Sequence, residues 1–178
     1  MKKHNGMRPQ DIFILLKIIS LHETNWLNIH ISRTLNISAS EVSEALERCR
    51  IAKLIDSSKR RINVLALEEF LIHGIKYVFP VQLGTIARGV PTAFSASPIK
   101  DKIYQGSEVY VWAYKFGTVK GLTVEPLYKS IPEACLKDDK LYELLVIVDT
   151  LRIGRSRETE IAIAELKKIL TEYAKSQY

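Results

Sequence analysis

The amino-acid sequence predicts an α+β protein with a largely helical N-terminal part and a smaller mixed C-terminal part. Apolar residues recur at helical spacing in three stretches within residues 9–52, which predicts three helices. Two runs of β-branched and aromatic residues around polar turns, at 54–64 and 109–124, predict two hairpins. We place the boundary between the two parts after residue 75, which divides the chain into 1–75 and 76–178.

The composition is that of an ordinary soluble domain. Of the 178 residues, 47% are hydrophobic and 26% are charged. No apolar run reaches the roughly 18 to 20 residues that a membrane span needs. The apolar stretch near the N-terminus is interrupted by Lys17, His22 and Glu23, which argues against a signal peptide. We therefore expect a cytoplasmic protein without a membrane partner.

Positive charge is concentrated in the N-terminal third of the chain. Residues 1–66 hold 11 lysines and arginines against 6 acidic residues, whereas residues 67–178 hold 15 against 14. A local excess of this kind attracts polyanions and supplies the sequence-independent part of DNA affinity. The charge distribution thus favours a polyanionic partner for the N-terminal part.

Residue types that carry catalysis or bind metals do not cluster in the sequence. The two cysteines, Cys49 and Cys135, belong to no CxxC or Cys/His pattern, and we interpret them as buried thiols. No Ser/His/Asp set, pair of spaced carboxylates or glycine-rich phosphate loop occurs. We therefore predict no catalytic site, no metal site and no cofactor.

The first two helices are predicted from proline, cap and apolar positions. Pro9 fits a first helical turn, and the helical spacing continues to His22. After a polar break, Asn25 is the predicted N-cap of a second helix over residues 26–35. The inner face of that helix is predicted to hold Leu27, Ile31 and Leu35.

A tight turn and a capping box introduce the third helix. Asn36 tolerates the left-handed backbone with which a helix ends in a sharp turn. Ser38 then caps the next helix, with Glu41 as its capping-box partner three residues later. The helix is predicted to end near Ala52-Lys53. Its apolar stripe comprises Val42, Ala45, Leu46 and Cys49.

The third helix leads into a short hairpin with a basic tip. Leu54-Ile55-Asp56 is predicted as one strand, residues 57–60 as a polar turn, and residues 61–64 as the return strand. Residues 65–77 are predicted as a fourth helix because their apolar positions recur at helical spacing.

The C-terminal part begins with an irregular segment. Residues 79–98 contain three prolines and two glycines, which predicts a long ordered loop. Residues 109–114 and 118–124 are β-branched or aromatic and lie on either side of Gly117. This pattern predicts a small antiparallel β-hairpin.

Two C-terminal helices complete the predicted fold. The first covers residues 132–151, and Gly154 separates it from the second, over residues 157–173. The second helix has a clear apolar stripe. This stripe either contacts a second copy of the chain, making a homodimer, or packs within the chain.

The stretch from residue 31 to residue 55 reads ISRTLNISASEVSEALERCRIAKLI. It resembles the winged helix-turn-helix of MarR-like bacterial regulators, in which an Ile-Ser pair after glycine or asparagine opens the recognition helix, as Ile37-Ser38 do here. An Ala-Gly-Leu-Ile exit into the wing is typical of that family, and Ala52-Lys53-Leu54-Ile55 stand in its place. Lys53 replaces the usual glycine and Cys49 the usual leucine.

The resemblance implies a DNA-binding transcriptional regulator that acts as a homodimer on double-stranded DNA. The recognition helix is expected in the major groove and the wing on the phosphate backbone. Ser40 and Ser43 are expected to bond base edges or phosphates, and Lys2 and Lys3 to add backbone contacts. The full set of expected DNA contacts is Arg33, Ser38, Ala39, Ser40, Ser43, Glu44, Glu47, Lys59, Arg60 and Arg61.

Two carboxylates on the third helix oppose a simple DNA interface. Glu41 is explained by capping, whereas phosphates repel Glu44 and Glu47, and only a cytosine amino group is a good base partner for them. A second interpretation is therefore open. In it, the winged helix is a packing or protein-contact module of an adaptor or antitoxin-like protein, with a second protein as its partner.

Overall fold

The computed structural model describes residues 6–23, 25–103 and 106–177. Within these ranges the chain forms helices and one three-stranded sheet, which confirms the predicted α+β class. In chain order the elements are α1 (Pro9–Leu21), α2 (Asn28–Leu35), α3 (Ala39–Ile51), α4 (Val64–Glu69), α5 (Ile75–Val78), β1 (Ile86–Pro91), β2 (Tyr110–Ala113), β3 (Val119–Thr123), α6 (Ile131–Cys135), α7 (Asp139–Ile153) and α8 (Ser156–Ser176). A π-helical turn, Phe70–Gly74, joins α4 to α5.

Helix α1 is the central element of the core. Every residue from Asp11 to Ser20 is buried, which is what a helix with apolar residues on all sides requires. The helix contacts α2 and α3 of the N-terminal part and also α7 of the C-terminal part. The buried apolar residues accordingly form one continuous cluster that extends from Ile12 to Tyr173.

Charged side chains in and beside α1 are paired rather than isolated. The Asp11 carboxylate accepts two hydrogen bonds from the Arg48 guanidinium of α3, at 2.9 and 2.6 Å. The Lys17 ammonium lies 2.6 Å from the Asp138 carboxylate at the start of α7. Such pairing offsets the cost of removing charges from water. The two pairs also link α1 to both halves of the molecule.

The start of α2 differs from the prediction. Leu27, not Asn25, is the N-cap, and its side chain is 50% exposed instead of facing inward. The physical reason is Trp26, which is only 2% exposed. Trp26 occupies the core position that the helical spacing predicted for Leu27. Ile31 and Leu35 are buried as predicted.

The hairpin after α3 is shorter than predicted. A single antiparallel bridge joins Ile55 to Ile62. The Asp56 carboxylate closes the turn by accepting the backbone N–H groups of Arg60 and Arg61, at 2.9 and 3.1 Å. The return strand does not reach Val64, because that residue is already the first of α4.

The antiparallel β-hairpin predicted at 109–124 is wrong. β2 and β3 lie side by side in parallel, with Tyr110 opposite Leu122. β2 pairs with the C-terminal half of β1, and β3 pairs with its N-terminal half. β2 and β3 run in the same direction. Both strands are therefore antiparallel to β1, and the three strands close a small barrel.

Strand β1 lies in the segment for which the sequence predicts a loop. Val90 stands opposite Trp112 of β2, and Ala87 stands opposite Gly121 of β3. The prolines that suggested a loop are compatible with the strand, because Pro91 is its last residue and proline is tolerated at such an end.

A close backbone crossing in the barrel requires glycine. Gly89 pairs with both Ala113 and Val119, so β2 and β3 meet at this residue. A Cβ on Gly89 would lie 1.9 Å from the carbonyl oxygen of Trp112, and one on Gly117 would lie 2.4 Å from the Gly89 backbone. The strands thus approach to a distance that excludes any side chain.

A buried carboxylate fixes the barrel to α7. Asp149 accepts hydrogen bonds from the Thr92 hydroxyl at 2.9 Å, the Trp112 indole at 2.6 Å and the Arg152 guanidinium at 2.8 Å. Arg152 also donates to the carbonyl oxygen of Phe79. The hydrogen-bonding groups of this buried network all have partners, and a satisfied network of this kind rigidifies the core. We therefore assign it a structural role.

The C-terminal helices differ from the prediction in one respect, and for α8 the structure decides between the two alternatives. The stretch 132–151 is divided into α6 and α7, and the Asp138 side chain caps α7 by accepting the Leu141 N–H at 3.0 Å. The apolar stripe of α8 packs within the chain, so it does not offer the exposed surface expected of a homodimer contact. Its buried residues are Ala162, Leu166, Leu170 and Tyr173. None of the described helices has both the length and the apolar character that crossing a membrane requires.

Candidate functional site

The predicted site begins with the outer face of α3. The inner side chains of this helix, including Val42 and Leu46, are buried against α1 and α2. The opposite face remains accessible, because the rest of the described chain does not cover it. Its exposed residues are Ala39, Ser40, Ser43 and Glu44.

The turn into α3 is built as the sequence predicts. Asn36 has φ 53° and ψ 48°, the left-handed conformation that ends α2 and reverses the chain. Ser38 and Glu41 form a reciprocal capping box, in which the Ser38 hydroxyl donates to the Glu41 carboxylate at 2.8 Å and accepts the Glu41 N–H at 3.2 Å. The Ser38 hydroxyl and backbone N–H both donate to the Glu41 carboxylate, and these two hydrogen bonds lower the pKa of Glu41. Ser38 therefore orients the helix, while the hydroxyls of Ser40 and Ser43 lie exposed beside it.

The carboxylates of α3 are paired with cations. Glu47 lies 2.6 Å from the Arg50 guanidinium and 2.7 Å from the Lys59 ammonium of the hairpin. Hydrogen bonds from Arg50 and then from Lys59 lower the pKa of Glu47 to about 2. Glu44 is 3.9 Å from the Arg48 guanidinium. The Glu47 carboxylate is thus balanced by two cations, whereas Arg48 is shared between Glu44 and the buried Asp11.

The hairpin turn brings three cations next to the C-terminal half of α3, in different orientations. Lys59 is bound to Glu47, and it has a left-handed backbone at φ 59°. The Arg60 guanidinium donates to the Trp26 carbonyl oxygen at 2.6 Å and lies 4.9 Å from the centre of the indole ring. The Arg61 side chain is exposed, and within the described ranges it has no ion-pair partner. Arg61 is therefore the one of the three whose guanidinium is not engaged by another group of the described chain.

Two further cations next to the hairpin were missed by the sequence analysis. Arg50 and Lys53 share with Arg61 an open groove of about 550 Å³ between the end of α3 and the turn. Lys53 has a left-handed backbone at φ 61°, which directs the chain from α3 into the hairpin. The sequence did contain a signal for Lys53 as a phosphate contact. A lysine in place of the usual glycine adds a cation at the point where helix and hairpin meet.

Arg33 lies at the other end of α3. It is exposed on α2 and lines a cleft of about 270 Å³ together with Asn36, Glu133 and Lys137. The structure thus does not bring Arg33 and the hairpin cations into one cluster. The expected contacts of Lys2 and Lys3 lie outside the described residues.

In the described ranges, no group of three histidine, cysteine, aspartate or glutamate side chains is arranged to hold a metal ion. Cys49 and Cys135 are buried, and burial raises the pKa of both thiols.

In comparisons with protein-family models, curated proteins and solved structures, nothing matches this chain.

Proposed function

We propose that this protein binds double-stranded DNA through a winged helix-turn-helix made of α2, α3 and the hairpin 54–63. The observation that carries the proposal is the outer face of α3. This face is uncovered, presents the hydroxyls of Ser40 and Ser43, and lies beside a hairpin whose Arg61 is exposed. A helix of this kind fits a major groove about 12 Å wide, and short polar side chains are suited to base edges and phosphates.

The electrostatics of α3 support the same proposal. Glu44 and Glu47 were the main argument against DNA, because phosphates repel carboxylates. Glu47 is held between Arg50 and Lys59, so this carboxylate opposes an anionic partner less than its charge alone suggests. The remaining exposed cations around the hairpin, Lys53 and Arg61, then supply attraction to the backbone.

The experiment is a selection of bound duplexes from a random DNA pool, followed by a salt titration with the selected duplex. We expect log affinity to fall with log salt concentration with a slope of several units. Arg61→Ala is expected to reduce that slope by about 1. The matched control is Arg157→Ala, which removes an exposed arginine at the start of α8 and is expected to leave the slope unchanged. A flat response of the wild-type protein would rule out DNA binding.

Glu47→Gln provides a test with the opposite sign. The substitution removes the carboxylate that binds Arg50 and Lys59 and leaves both cations available. DNA affinity at low salt and the salt slope are therefore both expected to increase. A variant that binds DNA more weakly than the wild type would show that Glu47 serves the interface by another route, such as contact with a cytosine.

Regulation of transcription by a homodimer is the finer part of the proposal. A two-fold symmetric protein selects an inverted repeat, with half-sites about one helical turn apart. Recovery of such a repeat, with a dimeric mass in sedimentation, is the expected result. A single half-site with a monomeric mass would remove the homodimer and keep the DNA contact.

The second candidate function is a protein-contact module, and one observation favours it. Two of the three cations at the hairpin turn, Lys59 and Arg60, are already bound to Glu47 and to Trp26 within the chain. Such a hairpin is stabilised for packing rather than extended toward a backbone. This function predicts salt-insensitive, weak DNA affinity, so the same titration distinguishes the two candidates.

A further inference from the structure

A segment of the C-terminal part lies against the N-terminal end of α3. The Ser130 hydroxyl is buried and donates to the carbonyl oxygen of Leu35, the last residue of α2, at 2.5 Å. Helix α6 follows immediately and forms one wall of the cleft that contains Arg33 and Asn36. Residues 128–137 are therefore fixed next to the turn that leads into α3.

This segment adds cations to that end of the helix. Lys129 is exposed, and its charge contributes to the lowered pKa of Glu41, after the larger effect of the hydrogen bonds with Ser38. Ser130, which is bonded to Leu35 at the end of α2, is the next residue, so Lys129 lies beside the turn that leads into α3. Lys137 shares the cleft with Arg33, but it is bound to Glu133 at 2.8 Å and is thus partly neutralised.

We propose that Lys129 and Arg33 form a second row of phosphate contacts at the N-terminal end of α3. The hairpin cations lie at the other end, because Glu47 and Arg50 in the last turns of α3 are the residues that meet the turn. With 13 residues, α3 is about 20 Å long. A major groove has a phosphate strand on each side, so cations at both ends of the helix contact both strands while α3 occupies the groove.

This inference rests on the proposed DNA binding and extends it to the C-terminal part of the chain. Lys129 belongs to the segment after the barrel, within residues 76–178, whereas all ten DNA contacts expected from the sequence lie between Arg33 and Arg61. The buried hydrogen bond from Ser130 to Leu35 holds the neighbouring Lys129 beside α3. The DNA-binding surface is thereby assembled from both parts of the molecule.

The test uses the full-length protein and the duplex obtained by selection. Lys129→Ala is expected to reduce the slope of log affinity against log salt by about 1. One phosphate contact contributes a slope of roughly 0.9. When salt rises from about 50 to 200 mM, the fold-loss of affinity of this variant is therefore expected to be about 3.5 times smaller than that of the wild type. The matched control is Lys168→Ala, which removes an exposed lysine from α8. Thermal unfolding of both variants verifies that each remains folded.

A second measurement assigns the contact to a phosphate. Neutral methylphosphonates are substituted one at a time along the selected duplex, and wild-type binding is expected to weaken at each contacted phosphate. In Lys129→Ala, the methylphosphonate at one of those phosphates is expected to weaken binding no further. That phosphate is expected on the opposite side of the groove from the phosphate that becomes insensitive in Arg61→Ala.

The outcomes separate this inference from the proposed function. If the wild type shows a steep salt slope that Arg61→Ala reduces and Lys129→Ala does not, the second row is wrong and the winged helix still binds DNA. If the wild type shows no salt slope, the proposed function itself fails. If Lys129→Ala and Lys168→Ala reduce the slope equally, the effect is one of net charge, and the second row is again overturned.

Discussion

At the scale of single residues, the buried pair between Asp11 and Arg48 has the largest consequence for the proposed interface. Asp11 is fully buried, and Arg48 is only 5% exposed although it lies on the helix whose outer face is proposed to contact DNA. The two hydrogen bonds fix the rotation of α3 on α1. They thereby set which side chains of α3 face outward.

Arg48→Met is expected to destabilise the protein by about 3–5 kcal/mol, because it leaves the Asp11 carboxylate buried without its cation. Urea denaturation followed by circular dichroism measures the change. The double variant Asp11→Leu with Arg48→Met is expected to recover part of the loss, since an apolar pair carries no unpaired charge. If Arg48→Met alone has wild-type stability, the Asp11 carboxylate must bind another partner or water in that variant.

At the scale of elements, α3 depends on its first turn. Ser38→Ala removes both hydrogen bonds of the Ser38 hydroxyl and is expected to cost about 1 kcal/mol of stability. Ser38→Asp is the rescuing control, because an aspartate also accepts the N–H of the third helical residue. Equal stability of the alanine variant and the wild type in urea denaturation would contradict a stabilising capping box.

The barrel depends on one glycine in a comparable way. Gly89→Ala is expected to destabilise the protein by about 3 kcal/mol or more, because the added methyl group meets the backbone of β2 and the strands must separate. The matched control is Gly106→Ala, where a Cβ meets no atom within 4 Å and stability is expected to change by less than about 0.5 kcal/mol. Similar denaturation midpoints for the two variants would contradict the close crossing.

At the scale of the whole molecule, the core joins the two predicted parts through α1. This helix contacts both α3 and α7, so separation of residues 1–75 from the remainder would expose buried apolar side chains of α1 and break the Lys17–Asp138 pair. The division at residue 75 stays a prediction from the sequence. Its consequence for folding is measurable with the two native cysteines, one in each part.

We expect Cys49 and Cys135 to become reactive in the same cooperative transition, because both thiols are buried in one continuous core. Single-cysteine variants, Cys49→Ala and Cys135→Ala, are labelled with a thiol reagent at increasing urea concentration. Each labelling midpoint is compared with the circular dichroism midpoint of the same variant. Reaction of one thiol well below that midpoint would reveal two independently unfolding parts.

Features that depend on neighbours in the chain were predictable. The left-handed Asn36, the capping box of Ser38 and Glu41, and the helix end at Gly154 each follow from the conformational preferences of one residue or from a contact three residues away. The start of α2 was not predictable in this way, because Trp26 is drawn into a core formed by distant residues and alters the local pattern.

The sequence alone determined the α+β class, the helices around α3 and their buried apolar faces, since these follow from periodicity and short-range capping. Only the tertiary structure decided the parallel pairing of β2 and β3, the pairing of Glu47 with Lys59 and the hydrogen bond that holds Ser130, next to Lys129, against the end of α2. Each of these joins residues from separate elements. Their relative position is set by how helices and strands pack around α1 and β1, which no local preference encodes.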